Sequence, residues 1–302
     1  MGNMGKAFRL QSAMEYLMTY GWAILIIAVV LGALFSLGIF NPAFLAPKVQ
    51  PGSCQVERPD GPGTSAYVSI QGNCNNELPE YVAQFNGQSS FINISHAPNL
   101  ALTGNLAIGW WFSSSLSSGT AYDREMVSSR CQVDTTFDMQ LATTGLHGDI
   151  GTGTGSWLST NVNYVFTPSQ NTWYFVEVVI ANTGWSIFLN GKNVSSGTYT
   201  GGTPSFLSSN DNLYLGVPNT VCGAFPFDGQ IANMQLYNTS LSPSAIKYLY
   251  LEGIGGEPTS LTHLVGWWPL NGNANDYSGN ENSGVNSNVI YTNGWTSGYT
   301  AP

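Results

Sequence analysis

From Gly21 to Phe40 the chain runs for twenty residues without a charge, as GWAILIIAVVLGALFSLGIF. As a helix, about 20 apolar residues cover the roughly 30 Å of a bilayer's hydrocarbon core. Lys6 and Arg9 precede the run, and no Lys or Arg follows until Lys48. The positive-inside rule then leaves the N-terminus in the cytoplasm and the bulk of the chain outside. The competing reading is a cleaved secretory signal, whose apolar core would span roughly 7–15 residues and end at small residues. This run is longer and continues into Asn41-Pro42, so it reads as a retained single-pass transmembrane helix at the cell membrane, with the C-terminal part extracellular.

Glu15 sits in the apolar flank, within QSAMEYLMTYGWAILII. A carboxylate close to hydrocarbon is costly and marks function more often than not. The segment Gln11-Ser12-Ala13-Met14-Glu15-Tyr16-Leu17 resembles the processing motif of archaeal class III signal peptides, found in type IV pilin-like proteins. The resemblance implies a leader over residues 1–10, a cut between Leu10 and Gln11, and a stem helix over residues 11–40. Glu15 would become the fifth mature residue and pair with the new N-terminal amine of a like subunit in a filament. Opposite charges in a low-dielectric medium offset part of each other's burial cost. That family usually carries Gly before the cut, whereas this chain has Leu10. A plain signal anchor with Glu15 at the membrane interface is the alternative.

Beyond the stem, polarity comes from Asn, Ser, Thr and Gly. Charged residues are 8% of the chain and aromatics 13%, against roughly 25% charged in ordinary soluble proteins. With 35 Gly and 15 Pro, this composition suits strands joined by tight turns. The net charge is -9 with only 8 Lys+Arg and no basic stripe, which excludes a nucleic-acid partner. Four cysteines, Cys54, Cys74, Cys131 and Cys222, all follow the apolar run. Outside the cell they read as two disulfides, with three connectivities open. Cys54 and Cys74 bracket a short local segment, so Cys54–Cys74 with Cys131–Cys222 is the expected pairing.

Prolines and glycines crowd residues 41–79, a connector that ends the stem helix and holds a small disulfide-stapled collar. Ala66–Ile70 alternates as a strand would. From Glu80 the signals are strand and turn. Tyr81–Phe85 and Phe91–Ile94 flank Asn86-Gly87, and Leu106–Phe112 is apolar and aromatic. Phe137, Met139 and Leu141 alternate with Asp138 and Gln140 as in a half-buried strand. Trp173–Ile180 reads as a central strand. Trp185, Ile187 and Leu189 lead into Asn190-Gly191, a strong hairpin signal. Leu213–Val217 and Ile231–Tyr237 follow. Ser242, Pro243 and Gly253 are placed to start and stop one helix. The pattern is that of a mainly β chain folded as an antiparallel sandwich.

Three pieces, YVAQFNGQSSFINI, NTWYFVEVVIANTGWSIFLNGK and FDGQIANMQLYNTSLSPSAIKYLYLEG, resemble the laminin-G-like, concanavalin A-like jelly roll over residues 80–256. In residues 257–302, Leu264–Leu270 followed by NGNANDYSGNENSGV looks like the opening strand and loop of another such domain. About 40 residues cannot build a second sandwich. The segment either folds back onto its own domain, completes a neighbour's sheet, or is a stub.

Chemistry is sparse along the chain. Glucanases of this fold set several carboxylates at alternate positions of one strand, and glycoside hydrolysis needs a pair. No Glu-x-Asp-x-Glu run occurs, and Glu177 reads as a surface or hydrogen-bonded acid, so catalysis is not expected. The oxygen-rich loop with Asn273, Asp276 and Asn280 is a candidate calcium site, Asp276 leading, with simple turn formation as the alternative. Trp110, Trp111, Trp157, Trp267 and Trp268 could stack on sugars. Of each adjacent pair, one should be core and the other at the surface. Asn93, Asn193 and Asn238 open N-glycosylation sequons. Together these features predict a pilin-like, membrane-anchored surface protein whose jelly roll binds a glycan or a surface protein. A non-filament anchored receptor is the second reading, and an anchored glycan-processing enzyme the third.

Overall fold

The computed structural model describes residue 20 and residues 22–32, 78–116, 124–130, 135–209, 211–217 and 225–302, together with the backbone of residues 54–57 and 67–70. Leu10, Gln11, Glu15, Cys74, Cys131 and Cys222 lie outside these residues, as do the leader and most of the connector. The chain divides into two units, Met1–Gln50 and Pro51–Pro302. In the first, residues 22–32 are helical and all exposed. Among the described residues no helix is long and apolar enough to cross a membrane.

The second unit begins with a two-stranded antiparallel ladder, β1 (Cys54–Glu57) with β2 (Tyr67–Ile70), in which Cys54 faces Ile70. The strands that follow are β3 (Val82–Asn86), β4 (Phe91–Ile94), β5 (Leu106–Ser114), β6 (Arg124–Ser128), β7 (Phe137–Ala142), β8 (Gly145–Gly151), β9 (Trp157–Ser159) and β10 (Tyr164–Val165). Next come β11 (Trp173–Ala181), β12 (Gly184–Leu189), β13 (Lys192–Thr198), β14 (Leu213–Leu215), β15 (Phe225–Pro226) and β16 (Asp228–Tyr237). Helix α1 (Pro243–Glu252) is followed by β17 (Leu264–Trp268), β18 (Gly284–Ser287) and β19 (Ile290–Thr292).

They form two sheets. A nine-stranded sheet runs β10-β8-β7-β6-β14-β4-β18, with β15 beside β6 and β9 beside β8. An eight-stranded sheet runs β13-β12-β11-β5-β16-β3-β19, with β17 beside β16. The β15–β6 pair is parallel. Asn190-Gly191 turns β12 into β13 with φ of 49° and 73°, the left-handed pair that a two-residue hairpin needs.

The main core lies between the sheets. Ile92 and Ile94 from β4 and Phe137 and Met139 from β7 meet Ile108, Trp110 and Val178 of the opposite sheet there. A second apolar layer covers the other face of the eight-stranded sheet. There Trp111, Trp173, Phe175, Phe188 and Tyr237 pack under Ile246 and Leu249 of α1 and under Trp267 and Trp295. Central strands such as β5 and β11 are therefore apolar on both sides, which is why WYFVEVVI lacks alternation. The helix starts where Ser242 Oγ accepts from the Ala245 N–H at 3.2 Å and stops at Gly253, φ 82°. Its Tyr250 stacks on Trp111 with ring centroids 5.8 Å apart.

The second layer corrects one expectation about the tryptophans. Trp110 and Trp111 point to opposite faces, yet both are buried, and so are Trp267 and Trp268. No member of either pair reaches the surface, because the outer face of this sheet is roofed.

The segment after α1 is part of the same sandwich. β17 pairs with β16, β18 with β4 in the nine-stranded sheet, and β19 with β3 in the eight-stranded one. Beyond β19, Trp295 returns to the outer layer, where its carbonyl accepts from Trp173 Nε1 at 2.9 Å.

Candidate functional site

The face of the nine-stranded sheet turned away from the core carries an unusual density of polar groups. The β7–β8 hairpin sets their register. Its two-residue turn, Thr143-Thr144, places Asp138 opposite Asp149 and Gln140 opposite His147. On the other side of β7, Glu125 faces Gln140 and Ser128 faces Asp138. Phe137, Met139 and Leu141, at alternate positions of the same strand, face the core.

Arg130, just past β6, gathers these acids. Its Nε lies 2.6 Å from Asp138 Oδ2, and its Nη2 lies 3.7 Å from Glu125 and 3.6 Å from Asp149. Asp138 is further held by Gln140 Nε2 at 3.0 Å and by the Asp149 N–H at 2.7 Å. His147 places Nε2 3.8 Å from Asp149 Oδ1 and makes a 2.6 Å hydrogen bond through Nδ1 with Asn163. The Arg130 guanidinium also lies over the Trp157 ring, 5.2 Å from its centroid, within range of cation–π attraction. Trp157 is 38% exposed.

The acids are enclosed. Glu125 is 5% exposed, Asp138 0% and Asp149 7%. Burial, then the Asp138 charge, push the Glu125 carboxyl up to about 8 against the pull of Arg130. Burial and Asp138 raise Asp149 as well. Glu125 Oε2 and Asp149 Oδ1 are buried and make no hydrogen bond. The acids are therefore enclosed, and of this group it is the Trp157 side chain that keeps substantial open surface. Among the described residues, no group of His, Cys, Asp and Glu is arranged to hold a metal ion.

This cluster corrects the half-buried reading of β7, since Asp138 and Gln140 are buried as well as the apolar residues between them. It also shows what a search along single strands misses. Three carboxylates meet across β6, β7 and β8, not at alternate positions of one strand. The available signal was hairpin symmetry: Asp138 and Asp149 are equally distant from the Thr143-Thr144 turn, as are Gln140 and His147.

Glu177 departs most from expectation. It is fully buried, and neither carboxylate oxygen has a hydrogen-bond partner. It occupies the second apolar layer, where burial raises its pKa well above the usual carboxylate value. The reading as a surface or hydrogen-bonded acid fails because α1 and the C-terminal segment cover that face of β11.

Asn273, Asp276 and Asn280 share one loop, with their polar atoms turned onto the protein. Asp276 Oδ1 accepts from the Trp267 and Ser278 N–H groups, and Oδ2 from Ser278 Oγ and the Asn282 N–H. Asn280 Nδ2 donates to the Leu264 and Val265 carbonyls, and Asn273 Nδ2 to the Tyr277 hydroxyl. A cation would have to displace these bonds. Of the sequon asparagines, Asn193 and Asn238 are exposed, whereas Asn93 is half-buried in β4 between β14 and β18. A shallow concavity of about 440 Å³ beside Trp185 is lined by Val179, Ser186, Ser196 and Thr198 among others, none of them charged.

The sequence over residues 86–247 matches the family profile described as the concanavalin A-like lectin/glucanases superfamily. No curated protein matches the chain. Among solved structures, a Bacteroides ovatus protein named for carbohydrate binding superposes with a TM-score of 0.53 at 13% identity, over 76% of this chain. This chain spans 64% of that protein's length. A heptameric SAP-like pentraxin from Limulus polyphemus gives 0.48 at 12% identity, covering 70% of this chain and 94% of the pentraxin. Domain 4 of an extracellular arabinanase from Geobacillus stearothermophilus, solved with arabinotriose, gives 0.40 at 16% identity, covering 65% and 80%.

Proposed function

This chain belongs to the concanavalin A-like lectin/glucanases superfamily, and from that premise we propose that its jelly roll binds glycans, at the Trp157–Arg130 site on the nine-stranded sheet. The observation that carries this reading is Trp157 itself. Arg130 lies over the indole, and Trp157 is still 38% exposed. Sugars present a C–H face that stacks on such an indole. The carboxylates converge on a guanidinium, an arrangement suited to binding more than to activating water. The Bacteroides protein of the same fold is itself named for carbohydrate binding.

The site is displayed, on this proposal, by a membrane-anchored surface protein. The uncharged Gly21–Phe40 run and the exposed apolar surface of residues 22–32 support an anchor. The Gln11–Leu17 motif supports processing and assembly with like subunits in a filament, a non-filament receptor being the alternative. Two disulfides and glycans on exposed Asn193 and Asn238 belong to the same extracellular proposal.

Two measurements test it. A glycan array probed with the detergent-solubilised chain is expected to give hits that Trp157→Ala abolishes. No hits with folded protein would remove the lectin reading. The N-terminus of the mature protein separates filament subunit from plain anchor: a start at Gln11 supports the first, a retained Met1 the second.

A further inference from the structure

We propose that the Asn293-Gly294 peptide is a modification site, where Asn293 spontaneously loses ammonia and becomes aspartate and iso-aspartate. The reaction is internal to the chain. The main-chain nitrogen of Gly294 attacks the Asn293 Cγ and gives up its proton, and the carboxamide nitrogen leaves as ammonia. Water then opens the five-membered imide at either carbonyl. The net change is ammonia for water, with no oxidation or reduction. Glycine after the asparagine favours the attack, because no Cβ crowds the approaching nitrogen. The carboxamide must also be free to turn toward that nitrogen.

Four asparagines of the chain precede a glycine: Asn86, Asn190, Asn271 and Asn293. Three of them are held. Asn86 Oδ1 accepts from the Gln88, Ser89 and Ser90 N–H groups at 2.9, 2.9 and 3.1 Å, the side-chain turn that asparagine favours. Asn190 Oδ1 accepts from the Phe175 N–H at 2.9 Å, and Asn271 Oδ1 from the Tyr81 N–H at 2.8 Å. Turning any of these carboxamides takes the acceptor from a main-chain N–H. Asn293 is exposed, and among the described residues nothing holds its carboxamide, the short 3-10 turn Gly294–Thr296 included. The space beside Gly294 is open: beyond its chain neighbours, a Cβ there would meet only Thr292 Oγ1, at 3.7 Å. The Gly294 N–H donates to that hydroxyl over a long 3.3 Å, the one bond the attack has to break. The site joins β19 to Trp295, which is buried in the outer layer and whose carbonyl accepts from Trp173 Nε1. Iso-aspartate lengthens the main chain by one carbon at this joint, and either product adds a carboxylate.

The test is mass spectrometry of the full chain aged in detergent at mildly alkaline pH, then digested so that the four Asn-Gly peptides are read separately. In folded protein Asn293 should convert faster than each of the other three by a factor on the order of ten, since their carboxamides must first break hydrogen bonds. In urea that lead should collapse, because the unfolded chain holds none of the four. Gly294→Ala is a mild change, as Gly294 does not need the left-handed region and has room for a Cβ. It should slow conversion at Asn293 and leave Asn86, Asn190 and Asn271 unaltered. The comparison of folded with urea-unfolded wild type stands even if the variant fails to fold. Another Asn-Gly pair converting first in folded protein, four equal rates there, or an Asn293 that reacts only in urea overturns the inference.

Discussion

Gly109 of β5 faces Glu177 of β11 across the ladder, and the Glu177 carboxylate fills the space where a side chain at 109 would begin. The glycine is what allows a carboxyl to lie inside an apolar layer. A Cβ at 109 would also meet the Val176 carbonyl at 3.1 Å, so the carboxylate would have to swing aside within a packed layer and the neighbouring strand give slightly. Gly109→Ala should destabilise the fold by about 2–3 kcal/mol, as overpacking does in tight cores. Urea unfolding measures it, and a change below about 0.5 kcal/mol would show that the carboxyl can be rehoused.

Glu177 is expected to be a liability. A buried acid without partners folds in its protonated form. Its folded pKa lies above the unfolded one, so stability is full at low pH and falls as pH rises from the usual carboxylate value toward alkaline conditions. Glu177→Leu should remove that decline and raise the melting temperature more at about pH 9 than at about pH 5. Equal shifts at both pH values would mean that the acid already ionises in the folded protein.

Glu125 has the same sign with a defined window. Its folded pKa of about 8 stands against a reference of 4.5. The wild type should therefore lose stability across that interval and level off above it. Glu125→Gln mimics the protonated acid and should gain on the wild type over the same range, by roughly 2–4 kcal/mol at the alkaline end. Melting curves at several pH values provide the readout, and a constant difference would contradict the assignment.

Asp276 accepts four hydrogen bonds, one from the Trp267 N–H of β17 and three from Ser278 and Asn282 of its own loop before β18. Losing them in Asp276→Ala should cost about 3 kcal/mol, since bonds to a charged acceptor are among the stronger ones. Because all four donors are internal, EDTA should leave the wild-type melting temperature unchanged. A drop on chelation would assign a calcium ion to this loop after all.

Much of the sandwich is legible from local pattern. Asn190-Gly191 needs left-handed φ at two residues, and its composition says so before any fold is known. Ser242, Pro243 and Gly253 mark the ends of α1 by the same kind of local chemistry. The candidate site was less legible. Asp138 and Gln140 looked like the solvent side of an amphipathic strand, and only the pairing of β7 with β6 and β8 revealed Glu125, His147 and Asp149 beside them. Trp157 was visible as a tryptophan, but nothing nearby in sequence announced Arg130 on its ring.

By itself, then, the sequence determined the strands, the turns, the helix ends and the uncharged N-terminal run, because each depends on residues within a few positions of one another. The tertiary structure alone decided which faces are covered. A second layer over the eight-stranded sheet buries Trp111 and Trp267 and strands Glu177 among apolar side chains. Strand order brings three acids from three strands to one arginine. Burial and charge convergence are sums over residues distant in the chain, and alternation within a strand reports which residues share a face, not what that face meets.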